Sequence, residues 1–432
     1  MQQREAEMVE VSRTIWDYAE IGLLEFRSAK LLVEKLRAAG FTVEEGIADM
    51  PTAFVATWGT GKPVIGIMAE YDALPQCGPP VGENGHGCGH NLFGTASTYA
   101  AIATKMLLEQ EKLPGTIRLF GTPAEETLVG KVYMARDGVF HGVDAMLTWH
   151  PGSKTQATNG SSAAMDSLVF EFFGKTAHAA SDPWNGRSAL DAVEVMNYAV
   201  NMLREHVIES ARIHYVITDG GKAPNVVPAY ARSWYFVRGP SRSVVNELVE
   251  RVKRCAEAGA LATDTELKIT TLTAVYDRLP NRAGAELVQR NLELVGPPRF
   301  SEEENALARE LGAQEPLDST LSPIDESPIR GSSEEGNVSW ITPLLHLRTA
   351  CKTPDTPGHS ELAARQFRTS IGEKGMMVAA KGLALSAWDC LTLPDALRKI
   401  RQEFEERTRG VTYDPVIPQG QKPPVGDGST AP

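Results

Sequence analysis

Cysteine is scarce in this chain: five in 432 residues, at positions 77, 88, 255, 351 and 390. An odd, scattered set in a chain of this length is no disulfide scaffold and points to a reducing compartment. An excess of positive charge is also missing. Lys and Arg number 43 against 55 Asp and Glu, for a net charge of −12. Without a basic field there is little to hold a phosphate backbone or an anionic bilayer, so neither nucleic acid nor membrane is an expected partner. Apolar runs stay well short of the ~18 residues a membrane span requires, and Lys105 interrupts the longest helical stretch. The opening segment MQQREAEMVEVSR is polar and reads as neither a secretory signal nor an Arg-rich transit peptide. Internal repeats are absent as well. These exclusions leave a soluble cytoplasmic protein of two or three domains as the expectation, at roughly 100–200 residues each.

Periodicity then divides the chain. Residues 6–39 carry apolar side chains at three- and four-residue steps and predict one helix, capped at Gly40. Short strand patterns follow at 41–45, 53–58 and 64–69, the last apolar throughout, as in a strand buried on both faces. A Gly/Pro-rich loop at 77–90 leads into a helix near 92–112, a strand at 116–121, a helix near 130–139 and a strand at 145–150. This alternation predicts an α/β layer with a mostly parallel sheet flanked by helices. From about 164 the order becomes strand, helix, strand, strand, helix, strand, the ferredoxin-like α+β pattern of an inserted domain. The expected divisions are 1–162 and 277–412 as two segments of one catalytic domain, 163–276 as the insertion, and 413–432 as an extended tail. Residues 312–336 are rich in Pro, Ser, Glu and Gly and suit a surface or active-site loop.

Four places offer metal ligands or a base. Cys88 and His90 stand two apart in the glycine-rich run His86-Gly87-Cys88-Gly89-His90-Asn91, at a strand-to-helix junction. A thiolate and an imidazole so placed suit a d-block cation. Glu125 and Glu126 follow an apolar strand, where one carboxylate can bind a cation and its neighbour can move a proton. His150 ends a strand, and His359 sits in a Gly/Pro turn. Singly, each also reads as a structural residue. Together they exceed the four ligands of a structural zinc site and suit a hydrolytic centre with open positions. In the insertion, His178, Asn225 and Arg238 offer donors for an oxyanion or a carboxylate, though each also reads as an ordinary loop or strand-end residue.

The ordered motifs AEYDALP (69–75), GHGCGHN (85–91), GTPAEE (121–126), TWHP (148–151), GKTAHAA (174–180), PNVVP (224–228) and GHS (358–360) resemble the aminoacylase/carboxypeptidase metallohydrolases, metallopeptidase family twenty. The likeness runs from about residue 8 to 418 and is nearest to the amidohydrolase branch with Cys in place of a metal-bridging Asp. It implies Cys88, His90, Glu126, His150 and His359 as ligands of one or two Mn²⁺ or Zn²⁺ ions, and Glu125 as general base. It further implies Asp72 and His86 as groups orienting the ligands, His178 as a catalytic group and Asn225 beside it, reaching the site when a lid closes, and Arg238 as the anchor of a substrate carboxylate. The inserted domain is implied to dimerise two copies of the chain. The implied reaction is hydrolysis of the amide of a small N-acyl or N-aroyl amino acid, p-aminobenzoyl-glutamate-like. An aromatic aminohydrolase releasing ammonia and a non-catalytic binding protein are the alternatives. The chain departs from the pattern in two places: Glu335-Gly336-Asn337-Val338-Ser339 stands where related enzymes usually show Gly-Asp-Val-Ser, and segment 301–336 is short. Loss of an acid at 337 is expected to alter substrate fit or the occupancy of a second ion.

Overall fold

The computed structural model describes residues 2–425. Its centre is a seven-stranded sheet in the order Thr42–Glu45, Phe54–Thr60, Gly115–Gly121, Val64–Ala69, Ala145–Gly152, Leu344–Ala350, Gln156–Thr158. The four middle strands are parallel, and the pairings at both margins are antiparallel. The parallel strands are apolar because helices cover both faces of the sheet. One core packs the sheet against helices Glu5–Tyr18, Phe26–Ala38, His90–Glu111, Arg282–Val295 and Ser370–Thr392. A second core lies on the opposite face, under helix Gly130–Arg136. The expected α/β class with its inserted α+β unit stands. Among the described residues, no single helix is long and apolar enough to cross a membrane.

Between Gln156–Thr158 and Arg282–Val295 the chain builds a four-stranded antiparallel sheet, ordered Arg212–Asp219, Tyr230–Gly239, Ala164–Phe173, Glu266–Val275. Helices Ala189–Leu203 and Arg242–Thr263 cover one face, which gives the ferredoxin-like arrangement read from the sequence. Side chains alternate strictly along the inner strand. Ala231, Tyr235 and Val237 pack beneath the helices, whereas Trp234, Phe236 and Arg238 face the other way, into the cavity described below.

The single helix expected over 6–39 is two helices. Ala19 adopts a left-handed conformation (φ 45°) that ends the first, and Leu23 (φ 65°) turns the chain before Phe26. Glu20 makes the break stable by accepting the backbone N–H groups of Arg27 at 3.1 Å and Ser28 at 2.9 Å, donors left free in the first turn of the second helix. Segment 315–334 is a strap, bridged to the sheet margin at Thr155–Leu321, Thr158–Asp325 and Ser162–Ile329. Residues 413–425 hold neither helix nor strand, yet they pack closely: Ile417 is buried, and the Gln421 side chain donates to the Thr271 carbonyl at 2.7 Å. The expected tail 426–432 lies outside the described residues.

Asn337 lies in this packing and is not among the residues lining the cavity. Its amide nitrogen donates to the Ala274 carbonyl and to the Tyr413 hydroxyl, both at 3.0 Å, and its amide oxygen accepts the Tyr276 N–H at 3.2 Å. The expectation that the missing acid at 337 bears on the ion site is therefore redirected, and the residue acts as a buried splice. Asn337→Asp would set a buried carboxylate against the Ala274 carbonyl and remove two donors. The expected outcome is a loss of about 1–3 kcal/mol in urea unfolding, with an unchanged midpoint counting against the splice.

Candidate active site

Three middle strands of the large sheet deliver their carboxyl ends to one place, the usual position of a ligand site in an open α/β sheet. After Val64–Ala69 come Glu70 and Asp72, and after Gly115–Gly121 come Glu125 and Glu126; His150 lies near the end of Ala145–Gly152. Loop 86–89 is threaded from the other side, and Gly89 (φ 84°) turns it so that His90 starts its helix facing inward. His359 (φ 52°) is held on a turn whose N–H bonds to the Gly87 carbonyl at 3.2 Å.

The five expected ligands converge. Cys88, His90 and His150 offer donor atoms within 4.8 Å of one another, and so do Cys88, Glu126 and His359; Cys88 belongs to both groups. The Cys88 sulfur lies 3.2 Å from His150 Nε2, and His359 Nε2 lies 3.5 Å from Glu126 Oε2. A divalent cation fits this set on two counts. The donors are sulfur, imidazole nitrogen and carboxylate, the mixture such ions take. In addition, His90 Nε2 and Glu126 Oε1 are buried without a hydrogen-bond partner, an unfavourable state that an ion would relieve.

Two buried carboxyls hold the acidic loop from behind. Asp72 accepts the Glu126 N–H at 2.9 Å through one oxygen and contacts His90 Nδ1 at 2.8 Å through the other. Glu25, fully buried, accepts the Ala124 N–H at 2.8 Å. Glu125 thus stands between two anchored amides. Burial, and after it the charge of Asp72, pushes the Glu25 carboxyl up to about 8. Burial also opposes charge on Asp72, but the His90 ring and the Glu126 N–H outweigh it and hold Asp72 ionised. Burial, with Arg348 next, depresses His150 to about 3, so its ring is neutral and its nitrogen free to bind a cation. His86 is buried and contacts the Ile15 carbonyl at 3.0 Å through Nε2, tying the ligand loop to the first helix.

A cavity of about 930 Å³ opens over these groups. It is lined by Cys88, Glu125, Glu126, His150, His359 and Arg238. His178 and Asn225 are not on its wall. They adjoin each other on the surface of the inserted sheet, where His178 bridges to Val226 and Ala179 N–H bonds to the Asn225 carbonyl. His178 Nδ1 accepts the N–H groups of Ala180 at 3.2 Å and Ser181 at 3.1 Å, which leaves Nε2 as the protonated nitrogen of the neutral ring.

Sequence reasoning missed several wall residues: Glu70, Arg278, Glu335, His346 and Arg348, together with Ile21–Leu24 from the helix break. Behind Glu70 lies an ion triad. Lys131, fully buried, contacts Glu70 Oε1 at 2.9 Å and Glu334 Oε2 at 3.2 Å, and Glu70 Oε2 stands 3.4 Å from His90 Nε2. Glu70 had a signal, its place two residues before Asp72 at a strand end. Lys131 had none, since a lysine in a short helix reads as surface.

Asp72→Asn would lose the pairing with His90 and weaken the grip on Glu126. The expected outcome is a fall of about 10–100-fold in divalent-ion affinity, read by competition with a chromogenic chelator, and retention of full affinity would remove Asp72 from this role.

A model of Peptidase family M20/M25/M40 matches residues 66–299. The chain is 37% identical over 457 residues to one of the two p-aminobenzoyl-glutamate hydrolase subunits of Escherichia coli (strain K12), covering 96% of this chain and 95% of that one. It is 29% identical over 409 residues to the Xaa-Arg dipeptidase of Mus musculus, covering 91% and 88%. Among solved structures, the aminobenzoyl-glutamate utilization protein from Klebsiella pneumoniae shares the fold, with a TM-score of 0.65 at 20% identity over 91% of this chain and 98% of that one. A family match spanning more than half of the chain, including the whole inserted sheet, and a relative alike over 96% of the chain agree with the ordered motifs: the chain belongs to Peptidase family M20/M25/M40.

Proposed function

We propose that the chain is a metal-dependent hydrolase of a carbon–nitrogen bond, the amide of a small N-acyl or N-aroyl amino acid. One observation carries this reading. Five donors of three chemical kinds converge in two groups that share Cys88, while Glu125 lies outside both and falls instead in a third group with Glu70 and His90. Cys88, His90 and His150 would hold one ion, and Cys88, Glu126 and His359 a second; Mn²⁺ and Zn²⁺ both suit these donors. A bound ion supplies Lewis acidity, which lowers the pKa of a water and polarises an amide carbonyl. Glu125 takes the proton from the attacking water and returns it to the departing nitrogen. Asp72 and Glu25 keep that carboxyl in place, and Arg238 holds the substrate carboxylate. The name of the E. coli relative supports an N-aroyl amino acid as substrate. Residues 1–162 and 277–412 form the catalytic unit in this scheme, with 163–276 as the inserted unit.

His178 and Asn225 complete the site from a second copy of the chain. The edge strand Arg212–Asp219 leaves Val216 and Ile217 exposed, and helix Ala189–Leu203 exposes Tyr198 and Met202 beside it. An apolar, unpaired strand edge favours pairing with another chain. His178 then presents its Nε2–H to the oxyanion of the tetrahedral state. Because the E. coli relative is one member of a named pair, a different chain is the competing occupant.

Glu125→Gln is expected to keep its metal content and to lose about 100- to 10,000-fold in kcat on N-benzoyl amino acids, with amino acid and ammonia assayed separately. Metal loss in this variant would place Glu125 among the ligands. Mixing Glu125→Gln with His178→Ala, each inactive alone, is expected to restore part of the activity if sites are shared between copies. Absence of recovery in a mixture shown by light scattering to contain dimers would refute the shared site.

A further inference from the structure

The cavity wall beside His150 carries a second polar patch. Strand Leu344–Ala350 runs parallel to Ala145–Gly152, with His346 opposite Thr148 and Arg348 opposite His150. Glu335 reaches over both strands. It accepts the Thr148 hydroxyl at 2.9 Å and lies 3.6 Å from Arg278 Nη1 and 3.7 Å from His346 Nε2. Arg278 also donates to the Gly160 carbonyl through Nε at 2.8 Å and Nη2 at 2.6 Å, so this part of the patch is satisfied within itself.

Two guanidiniums that line the cavity, Arg348 from the large sheet and Arg238 from the inserted one, have donors left over among the described residues. Arg348 has neither ion pair nor hydrogen bond among the described residues, and its Nε is fully buried with no partner. Asp325 on the strap feels the Arg348 charge without bonding to it; its carboxylate accepts from the Gln156 amide at 3.3 Å and the Ser327 N–H at 3.0 Å. Arg238 makes one side-chain hydrogen bond, from Nη1 to the Ser332 hydroxyl at 2.9 Å, and meets no carboxylate. Leaving guanidinium donors unfilled in a partly enclosed site is costly, and a carboxylate matches their planar fork.

Building on the hydrolase reading above, in which Arg238 already holds one carboxylate, we infer that Arg348 is a second, separate anion-binding point and a specificity-determining residue for the carboxylate nearest the scissile bond. Register makes this division. Arg348 is one strand away from His150, a spacing of about 4.8 Å between paired backbones. In an N-acyl amino acid the α-carboxylate hangs from the carbon next to the amide nitrogen, so its partner must lie beside the metal ligands. Arg238 comes from the inserted sheet across the cavity and meets the acid at the end of the side chain. Two unfilled guanidiniums also disfavour a basic side chain, which sets this cavity apart from a site for the substrates that the mouse relative's name describes.

The test has a binding arm and a kinetic arm. Glutarate and its monoamide, glutaramate, are titrated calorimetrically into metal-replete and metal-free protein. Glutarate is expected to bind about tenfold or more tightly than glutaramate in both forms. Arg348→Gln and Arg238→Gln are each expected to erase that preference, and Arg348→Lys to recover part of it. Equal binding of the two probes by the unaltered protein, or a preference that survives Arg348→Gln, overturns the inference. In the kinetic arm, N-benzoyl-glutamate is compared with N-benzoyl-glutamine. Arg238→Gln is expected to remove the discrimination between them, whereas Arg348→Gln lowers kcat/KM for both alike. The reverse pattern, or equal turnover of N-benzoyl-arginine by the unaltered protein, refutes the assignment. The two readings fail separately: discrimination between the probes without any hydrolysis sinks the hydrolase and leaves the anion pair standing, and hydrolysis without discrimination does the opposite.

Discussion

The site depends on two buried carboxyls gripping a loop by its backbone. Glu25 takes the Ala124 N–H and Asp72 the Glu126 N–H, so the backbone is pinned on both sides of Glu125, the proposed base. A base must be held within a fraction of an ångström to act, and loops do not hold themselves. Hydrogen bonds to the main-chain amides on either side do so without involving the Glu125 side chain, the one from ionised Asp72 being charge-assisted. Asp72 uses its second oxygen on His90, so the same side chain fixes a ligand and the loop that carries another. Rotation of Asp72 would move both.

That arrangement concentrates carboxyl groups where water is excluded. Glu25, Glu70, Asp72 and Glu334 are all buried, and Glu126 nearly so. Burial opposes charge on all of them and pushes the glutamates up, to about 8 for Glu25 and Glu70. The charge that does form there is answered in two ways. Lys131 sits between Glu70 and Glu334 and neutralises part of it from beneath. The remainder faces the donor atoms left unpartnered at His90 and Glu126, where a divalent cation is the natural counter-charge. In the proposed metal-bound state the ion would offset the cost of assembling these donors.

Much of this was legible in the sequence, and the reasons differ by element. The apolar run 64–69 and the strand–helix alternation identified the parallel sheet because burial on both faces leaves an unmistakable composition. The insertion was legible because its strands alternate. The convergence of Cys88, His90, Glu126, His150 and His359 was legible from the ordered motifs, whose tight turns impose glycines and fix spacing. The break at Ala19 was not, since the helical period continues across it and the Glu20 cap works at seven and eight residues' distance. Nor were Lys131, His346 and Arg348 legible, each an unremarkable residue in an ordinary helix or strand. What brings them to the site is the neighbouring strand or loop, and that information lies nearly two hundred residues away for the pairing of Arg348 with His150.

The same parallel register explains why catalysis and recognition are not independent here. A parallel pair offsets nothing: the residue opposite a ligand is fixed by the hydrogen-bond ladder, and slipping by one would turn every side chain to the other face. Leu344, Leu345 and Leu347 are buried in the cores on the two faces of the sheet, so the register cannot slip without exposing them. The hydrophobic core therefore sets the distance between His150 and Arg348 as firmly as it sets the fold. The inserted sheet obeys the same constraint from the opposite wall, where Tyr235 and Val237 are locked under helices and Arg238 has one direction left, toward the cavity. Both guanidiniums are placed by the packing of leucines, valines and aromatics in the cores, so a substitution there would shift Arg238 or Arg348 and, on the large sheet, His150 along with Arg348.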